Sequence, residues 1–355
     1  MKRLIAAIIS TAIFLALLAN INYILLDRTD HGVKQCIAMY EQPEDSIDVV
    51  VLGSSHVHYG VNTAELWEDY GISAYDFSSA EQPLWISYHY LKEICKTQSP
   101  KVVVLDFYAP AAYKEDYKYK YHHLAESFNG FDFSINKIQM MLASIDGQDQ
   151  LLNKYFPGFF GYHDRYDQLT DEDFEEMNYD YENFKGFTPY FRCQETSTPV
   201  LGTDEIAPPT EKSQKYLQKI VDYTKENNIK LLITLVPYQL NCEQVTDVVQ
   251  EEDKRYNWLM QYVSEQNEEG NDNVYFDYTL THLDQIGIDF ESGNDTFDGG
   301  HLNYYGSCKF SNYLGMFLRY MYGEDVLPDH REDPAYKSWD INAEEIRKIV
   351  TENEA

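Results

Sequence analysis

Basic residues are scarce in this 355-residue chain, where 28 lysines and arginines stand against 59 aspartates and glutamates, a formal net charge of −31. A field of this sign repels polyanions at long range, which argues against a nucleic-acid partner and favours neutral glycans over anionic polymers. No Gly-x-Gly-x-x-Gly or Walker loop follows a strand-like run, so nucleotide binding is not supported. The acidic stretch 289–298 lacks the spacing of a calcium loop.

The five cysteines are scattered, odd in number and without any Cys-x-x-Cys spacing. This pattern indicates neither a disulfide framework nor a zinc ribbon. A single disulfide formed outside the cell remains an alternative. No metal and no other cofactor is predicted. A zinc site is the alternative, because His56 and His58 would point to the same side of a continuing strand and His122 and His123 offer further imidazoles.

An uncharged apolar segment runs from Leu4 to Leu26, and as a helix it would be about 34 Å long, enough to span a bilayer. Lys2 and Arg3 precede it, so the positive-inside rule places the N-terminus in the cytoplasm and everything after Asp27 outside. A cleaved signal peptide is the alternative, disfavoured because the apolar stretch is long and lacks small residues at alternate positions near its end. We therefore predict a single-pass membrane protein with an extracytoplasmic domain.

Five strand-like runs alternate with helical patterns, and several are continuous in valine, isoleucine and leucine, as in a parallel sheet buried on both faces. The runs cover 47–52, 73–77, 101–107, 230–236 and 273–278. The helical patterns cover 83–96, 210–227, 244–266 and 304–322. This alternation predicts a doubly wound α/β fold, a parallel five-stranded sheet flanked by helices, with its site at the carboxyl ends of the strands.

One stretch, 109–209, breaks the alternation and is dense in tyrosine, phenylalanine, aspartate and glutamate, which predicts a cap inserted beside the site. The predicted organisation is an anchor at 1–26, a linker at 27–45, a catalytic domain at 46–323 that includes the cap, and a charged tail at 324–355. The tail, with a short helix at 343–350, is expected to be peripheral.

The first strand-like run is followed directly by Gly53-Ser54-Ser55. A glycine followed by serines at the end of a strand lets the backbone turn sharply and expose a hydroxyl, as a nucleophile requires. The same residue types also form ordinary turns, so this motif alone is weak.

A second motif, Asp298-Gly299-Gly300-His301, stands just before the last long helical pattern. An aspartate three residues before a histidine can accept the proton on Nδ1 and leave Nε2 as a general base toward a serine hydroxyl. Alone, the motif could equally cap a helix. Together the two motifs predict a catalytic triad of Ser55, Asp298 and His301.

These motifs resemble those of the SGNH/GDSL hydrolases, particularly the anchored extracytoplasmic branch that includes alginate O-acetyltransferase components and the lipoteichoic acid D-alanylation protein. The resemblance covers most of the chain from Ile47 to Tyr322. In that family the last residue of a Gly-Asp-Ser or Gly-Ser-Ser block is the nucleophile, here Ser55, and an Asp-x-x-His block matches Asp298 and His301. The resemblance implies a flavodoxin-like sheet of the SGNH type.

The resemblance also implies an oxyanion hole built from a small residue after the second strand and an asparagine after the third. Ser79 or Ala80 occupies the first place, and Tyr108 stands where the asparagine is missing. In the cap, His163 and Arg165 belong to a motif similar to a histidine and arginine motif of the anchored branch, which makes them candidate substrate-binding residues. A surface turn with an ion pair is the alternative.

The function implied is O-acyl transfer, with acetyl as the expected group, onto or off a cell-surface glycan, and the partner implied is a membrane-bound O-acyltransferase. Esterase and transferase share an acyl-enzyme and differ only in whether water or a sugar hydroxyl attacks second. The alternative is a catalytically weak or inactive glycan-binding or scaffold subunit, which would tolerate the missing glycine and asparagine.

Overall fold

The computed structural model describes residues 2–112, 126–144, 165–175, 179–242 and 250–354. Its centre is a five-stranded, entirely parallel sheet with the order β2-β1-β3-β4-β5. The strands are β1 (Val49–Leu52), β2 (Ala74–Asp76), β3 (Val102–Asp106), β4 (Lys230–Thr234) and β5 (Val274–Asp277). Each strand lies inside one of the five predicted runs, so the prediction of an α/β fold with a parallel sheet is confirmed.

Thirteen helices with defined ends lie in the described ranges: α1 (Lys2–Leu25), α2 (Gln35–Glu41), α3 (Ser55–Gly60), α4 (Thr63–Tyr70), α5 (Leu84–Ile94), α6 (Tyr108–Ala112), α7 (Ile135–Ala143), α8 (Asp171–Glu175), α9 (Glu211–Glu226), α10 (Glu252–Glu268), α11 (Leu283–Ile286), α12 (Tyr304–Val326) and α13 (Lys337–Glu354). A π-helical turn occupies Asp30–Lys34, and short 3-10 turns occupy Arg165–Asp167, Tyr181–Asn183, Thr279–Thr281 and Pro334–Tyr336. Each of the four predicted helical patterns overlaps an observed helix, although α10 and α12 extend beyond the predicted ends at 266 and 322. Residues 244–249, the start of one pattern, lie outside the described residues.

The sheet separates two apolar cores, because successive residues of a strand point to opposite faces. Val50 and Leu52 of β1 face a core that also receives side chains from α5, α9 and α10. Val49 and Val51 face a second core built with α4 and α12. Since every residue of β1 is buried, this strand reads as a continuous apolar run rather than an alternating one.

The C-terminal tail was expected to be peripheral, and that expectation is wrong. Helix α13 buries Trp339, Ala343 and Ile346, whose spacing places them on one face of the helix. Trp339 is fully buried, and its indole Nε1–H donates to the carbonyl of Ala74 on β2 over 3.4 Å. The many charged residues of the tail mask this short apolar stripe when the segment is judged by composition.

The segment predicted as a linker, 27–45, is also folded onto the domain. Helix α2 buries Gln35, Cys36, Ala38 and Met39 against the core that faces α5. Directly before this segment, α1 is long and apolar enough to cross a membrane, and none of its most apolar part is buried. A helix that is apolar enough to span a membrane thus leads straight into the folded domain.

Candidate active site

Ser55 stands at the carboxyl end of β1, where the chain turns into α3. Ser54 is the N-cap of this helix, and its hydroxyl accepts a hydrogen bond from the His56 amide over 3.4 Å. Ser55 is therefore the first residue of the helix, and its side chain is only partly buried while both neighbours are fully buried. The cap fixes the direction in which the Ser55 hydroxyl leaves the sheet.

Gly53 permits this sharp turn because no side chain fits at its position. A Cβ atom there would lie 2.4 Å from Cγ2 of Val57 and 2.8 Å from Cβ of Asp106. Both distances are shorter than any normal contact, so α3 can approach the end of β3 only over a glycine.

A tight turn before α12 carries the other two candidate residues. Thr296 and Leu302 form an isolated antiparallel bridge, and the Phe297 amide donates to the His301 carbonyl over 3.2 Å. Just beyond this turn Asn303 caps α12, since its side chain accepts from the Gly306 amide over 3.1 Å. Asn303, rather than Asp298, is thus the helix cap in this region.

Asp298, His301 and Ser55 form one continuous line of contacts. His301 Nε2 lies 2.8 Å from Ser55 Oγ, and His301 Nδ1 lies 2.9 and 3.1 Å from the two carboxylate oxygens of Asp298. The Gly300 amide donates to Asp298 Oδ1 over 2.7 Å. In the tautomer that satisfies these contacts, Nδ1–H donates to Asp298 and Nε2 accepts from the serine hydroxyl, which is the arrangement a general base needs.

The carboxylate of Asp298 is held in its ionised form. Burial raises the pKa of Asp298, but the hydrogen bonds and charge of His301 and the amide of Gly300 together lower it by more, so the pKa lies below its ordinary value. An ionised carboxylate at this position stabilises the imidazolium that forms when His301 takes a proton.

Aromatic rings enclose His301 on several sides. Phe297 lies nearly parallel to it, with ring centres 5.2 Å apart, Tyr59 meets it edge-on at 5.4 Å, and His56 lies at 5.1 Å. His56 in turn stacks on Tyr108 at 3.6 Å. Burial lowers the pKa of His56 well below its ordinary value, and the charge of His301 acts in the same direction, so His56 is neutral.

Tyr59, Phe297 and His56 also belong to this site, and none of them was predicted as part of a triad site from the sequence. A signal existed for two of them: Tyr59 lies one helical turn after Ser55, and Phe297 is the neighbour of Asp298. No comparable signal shows that His56 would lie against His301, because that contact depends on how α3 meets the turn before α12.

The residues predicted for the oxyanion hole have other partners. The Ser79 amide donates to the Gly53 carbonyl over 3.3 Å, and its hydroxyl bonds to the Gln82 side chain over 2.9 Å. The assignment of the Ser79 amide is therefore corrected, because a backbone contact already uses it. Ala80 lies partly exposed in the turn that follows, and its role stays a prediction.

The Tyr108 amide donates to the Asp106 carboxylate over 3.3 Å, while its ring lies on His56. Tyr108 therefore supports the ring beside the base and does not use its amide as an open donor. Within the described part of the chain, no group accepts a hydrogen bond from the Ser55 amide. At the first turn of α3 this amide can donate to an oxyanion beside Ser55.

Of the two candidates in the predicted cap region, His163 lies outside the described residues. Arg165 donates to the Leu26 carbonyl over 3.2 Å and forms an ion pair with Asp173. It also lies 4.0 Å from the carboxylate of Asp27. These contacts place Arg165 at the C-terminal end of α1, with an ion pair as in the alternative prediction.

The described residues hold no group of three His, Cys, Asp or Glu side chains arranged to bind a metal ion. His56 and His58 are two positions apart on α3 and point to different sides, His56 toward Tyr108 and His58 toward Gln35. His122 and His123 lie outside the described residues. All five cysteines lie inside them and carry free thiols.

No protein-family model matches this chain, and no curated protein matches it. The resemblance to the SGNH/GDSL hydrolases therefore rests on the sequence motifs alone.

Proposed function

We propose that the chain is a membrane-anchored, extracytoplasmic serine enzyme that acts on ester bonds. Ser55 is the nucleophile, His301 the general base and Asp298 the residue that orients the base. The observation that carries this proposal is the short contact of 2.8 Å between His301 Nε2 and Ser55 Oγ, continued by the contact of 2.9 Å between His301 Nδ1 and Asp298. A nucleophile within hydrogen-bond reach of a base, with the base oriented by a third group, is the structural signature of an activated nucleophile.

In the proposed reaction, Ser55 Oγ attacks an ester carbonyl while His301 Nε2 takes the hydroxyl proton. The C–O bond to the alcohol then breaks, and His301 returns the proton to the leaving alkoxide. In the second half, His301 deprotonates water or a sugar hydroxyl, which attacks the acyl-Ser55 ester. The bond from the acyl carbon to Ser55 Oγ then breaks, and His301 returns the proton to the serine. The Ser55 amide is the donor available to the oxyanion in both tetrahedral intermediates.

The proposed substrate is a neutral cell-surface glycan that gains or loses an O-acyl group, with acetyl as the expected group and a membrane-bound O-acyltransferase as partner. The net charge of −31 disfavours polyanionic substrates, and the membrane helix would hold the domain near the envelope. The strand order β2-β1-β3-β4-β5 supports an SGNH-type fold. In this order β2 and β3 lie on opposite sides of β1, and Ser55 follows β1 at this switch point.

A second candidate is a catalytically weak or inactive SGNH-fold scaffold or glycan-binding subunit. It is favoured by one observation, the engagement of the Ser79 amide with Gly53. Losing a single oxyanion donor typically slows acyl transfer by about 100-fold or more. The scaffold predicts glycan binding that is unaffected by His301→Ala and no acyl-enzyme.

Hydrolysis of an activated acetyl ester by the full chain in detergent tests the proposal. We expect Ser55→Ala and His301→Ala to abolish turnover. His282→Ala is a matched control, because His282 also pairs with an aspartate, Asp277, over 3.1 Å and its side chain is about as exposed as that of His301. Full turnover by Ser55→Ala would show that the nucleophile is wrong.

The proposed orientation has an independent test on Cys193, the exposed thiol among the five. A membrane-impermeant maleimide should label the protein in intact cells, and Cys193→Ser should remove most of that label. Labelling that appears only after the membrane is permeabilised contradicts an extracytoplasmic domain.

A further inference from the structure

The segment that leaves the membrane helix packs against the nucleophile helix through one buried side chain, Gln35. Its Nε2 donates to the Gly186 carbonyl over 2.8 Å and to His58 Nδ1 over 3.2 Å. Its Oε1 accepts from the Ser78 amide over 3.2 Å and from the Gly32 amide over 3.3 Å. Gln35 is fully buried, so these contacts are made away from water.

His58 connects Gln35 to the candidate nucleophile. It lies three residues after Ser55 on α3, a helix of six residues, so less than one helical turn of backbone joins the two residues. The His31 ring stacks on the His58 ring with centres 4.5 Å apart, which adds a second contact from the same segment. The next residue on α3, Tyr59, lies against His301.

The second partner of Gln35, Ser78, lies in the loop that follows β2. The next residue of that loop, Ser79, donates its amide to the Gly53 carbonyl over 3.3 Å. Gln35 therefore connects both sides of the turn that presents Ser55: α3 through His58, and the backbone before it through Ser78 and Ser79.

His58 is uncharged in this network at neutral pH. Burial lowers the pKa of His58 to about 4, and burial raises the pKa of Asp76, whose carboxyl lies 3.9 Å from His58 Nδ1, well above its ordinary value. At neutral pH the nearest charged alternative, an ion pair between His58 and Asp76, is therefore absent. The orientation of His58 depends on directional hydrogen bonding and stacking, which removal of the Gln35 amide would disrupt.

We propose that Gln35 is a positioning residue for Ser55, by which the segment that follows the membrane helix becomes part of the catalytic architecture. The inference rests on the proposed function, since it assigns Gln35 a role in the reactivity of Ser55. It predicts that the domain needs residues 31–35 for reactivity, and not only as a connection to the membrane.

The test compares two buried glutamines in the full chain in detergent, Gln35→Met and Gln98→Met. Gln98 is a matched control because it is also buried and holds two amides, those of Ser46 and Ile47, over 2.9 and 3.2 Å, but at the opposite end of β1. The readouts are the labelling rate of Ser55 by a serine-reactive phosphonate, resolved into reagent binding and the chemical step, and the melting temperature.

We expect Gln35→Met to slow the chemical step by about 10-fold or more with reagent binding unchanged, because small misplacements of a nucleophile are costly. Gln98→Met should lose stability and label at the wild-type rate. His31→Ala changes a partly exposed side chain and should slow the chemical step less than Gln35→Met does. It serves as the test variant if Gln35→Met does not fold.

A wild-type rate of the chemical step in Gln35→Met would overturn the inference and leave the proposed function intact. If Gln35→Met does not fold, a wild-type rate in His31→Ala has the same meaning. Equal slowing in Gln35→Met and Gln98→Met would also overturn it, since that result indicates general loosening of the fold. Absence of Ser55 labelling in the wild-type protein would instead overturn the proposed function and this inference together.

Discussion

His301 Nε2 lies 2.8 Å from Ser55 Oγ, although 246 positions separate the two residues in the chain. The parallel sheet brings them together: Ser55 follows β1, and the turn that carries His301 leads into α12, which packs on the same face of the sheet as Val57 of α3. Both residues therefore lie at the edge where parallel α/β sheets bind their ligands. The proposed function depends on this contact between His301 and Ser55 and on the carboxylate of Asp298 that orients His301.

Asp298→Asn should preserve the fold and remove most of the activity. An amide cannot hold His301 in the tautomer that leaves Nε2 free, so ester turnover should fall by about 10²- to 10⁴-fold. The control is Asp329→Asn, a similarly exposed aspartate that pairs with Arg331. Initial rates with an activated acetyl ester measure both variants, and wild-type turnover in Asp298→Asn would show that the carboxylate has no catalytic part.

Gly53→Ala should destabilise the fold and slow the labelling of Ser55. The added methyl group meets Val57 Cγ2 at 2.4 Å, and overpacking of this kind costs about 1–3 kcal/mol of unfolding free energy. In the double variant Gly53→Ala/Val57→Ala the main clash is absent, so its cost should be smaller than the two single costs combined. Urea unfolding of the three variants checks this, and strict additivity would argue against the clash.

Trp339→Ala should cost about 3–5 kcal/mol of unfolding free energy, because a fully buried indole leaves a large cavity. Ile349→Ala on the same helix changes a side chain that is 43% exposed and should stay within about 0.5 kcal/mol of the wild type. Chemical denaturation of the full chain in detergent measures both. A small effect of Trp339→Ala would return the tail to the peripheral role predicted from composition.

His89 should make the fold sensitive to acid. Burial lowers the pKa of His89 from 6.5 to about 4, and its Nδ1 lies 2.7 Å from Asn136 Oδ1. Between these pH values the unfolded chain binds a proton that the folded protein does not bind. The contribution to stability is thus fully present above pH 6.5 and is lost as the pH falls toward 4.

His89→Gln removes this titration. Between neutral pH and the folded-state pKa the wild type should lose up to about 3 kcal/mol more unfolding free energy than the variant, at about 1.4 kcal/mol per pH unit. Urea unfolding of both proteins at the two pH values measures the difference. Equal losses would mean that His89 titrates normally in the folded protein.

Much of the fold could be predicted because its signals are local. The run Val49–Leu52 is apolar at every position, as a strand buried on both faces must be. Ser55, Asp298 and His301 could be predicted because each stands in a motif whose chemistry needs those residue types. Their contact follows from the parallel sheet, because both loops lie at the carboxyl ends of its strands.

The parts that could not be predicted depend on partners distant in sequence. Gln35 has no periodic or compositional signal, because its bonds reach His58 and Gly186, 23 and 151 positions away. The hydrogen bond from the Ser79 amide to the Gly53 carbonyl could not be predicted either, because a sequence does not show which carbonyl accepts from a given amide. The burial of Trp339 was not predicted because the tail is rich in charged residues, although Trp339, Ala343 and Ile346 do stand at helical spacing.

The most direct test of the central claim is to trap the acyl-enzyme. The full chain in detergent is mixed with an activated acetyl ester, quenched in acid within the first turnover and digested, and the peptides are analysed by mass spectrometry. The account predicts an acetyl group on Ser55 that is absent from Ser55→Ala and greatly reduced in His301→Ala. Turnover of the ester with no acetyl on Ser55, or with the acetyl on another residue, would contradict it.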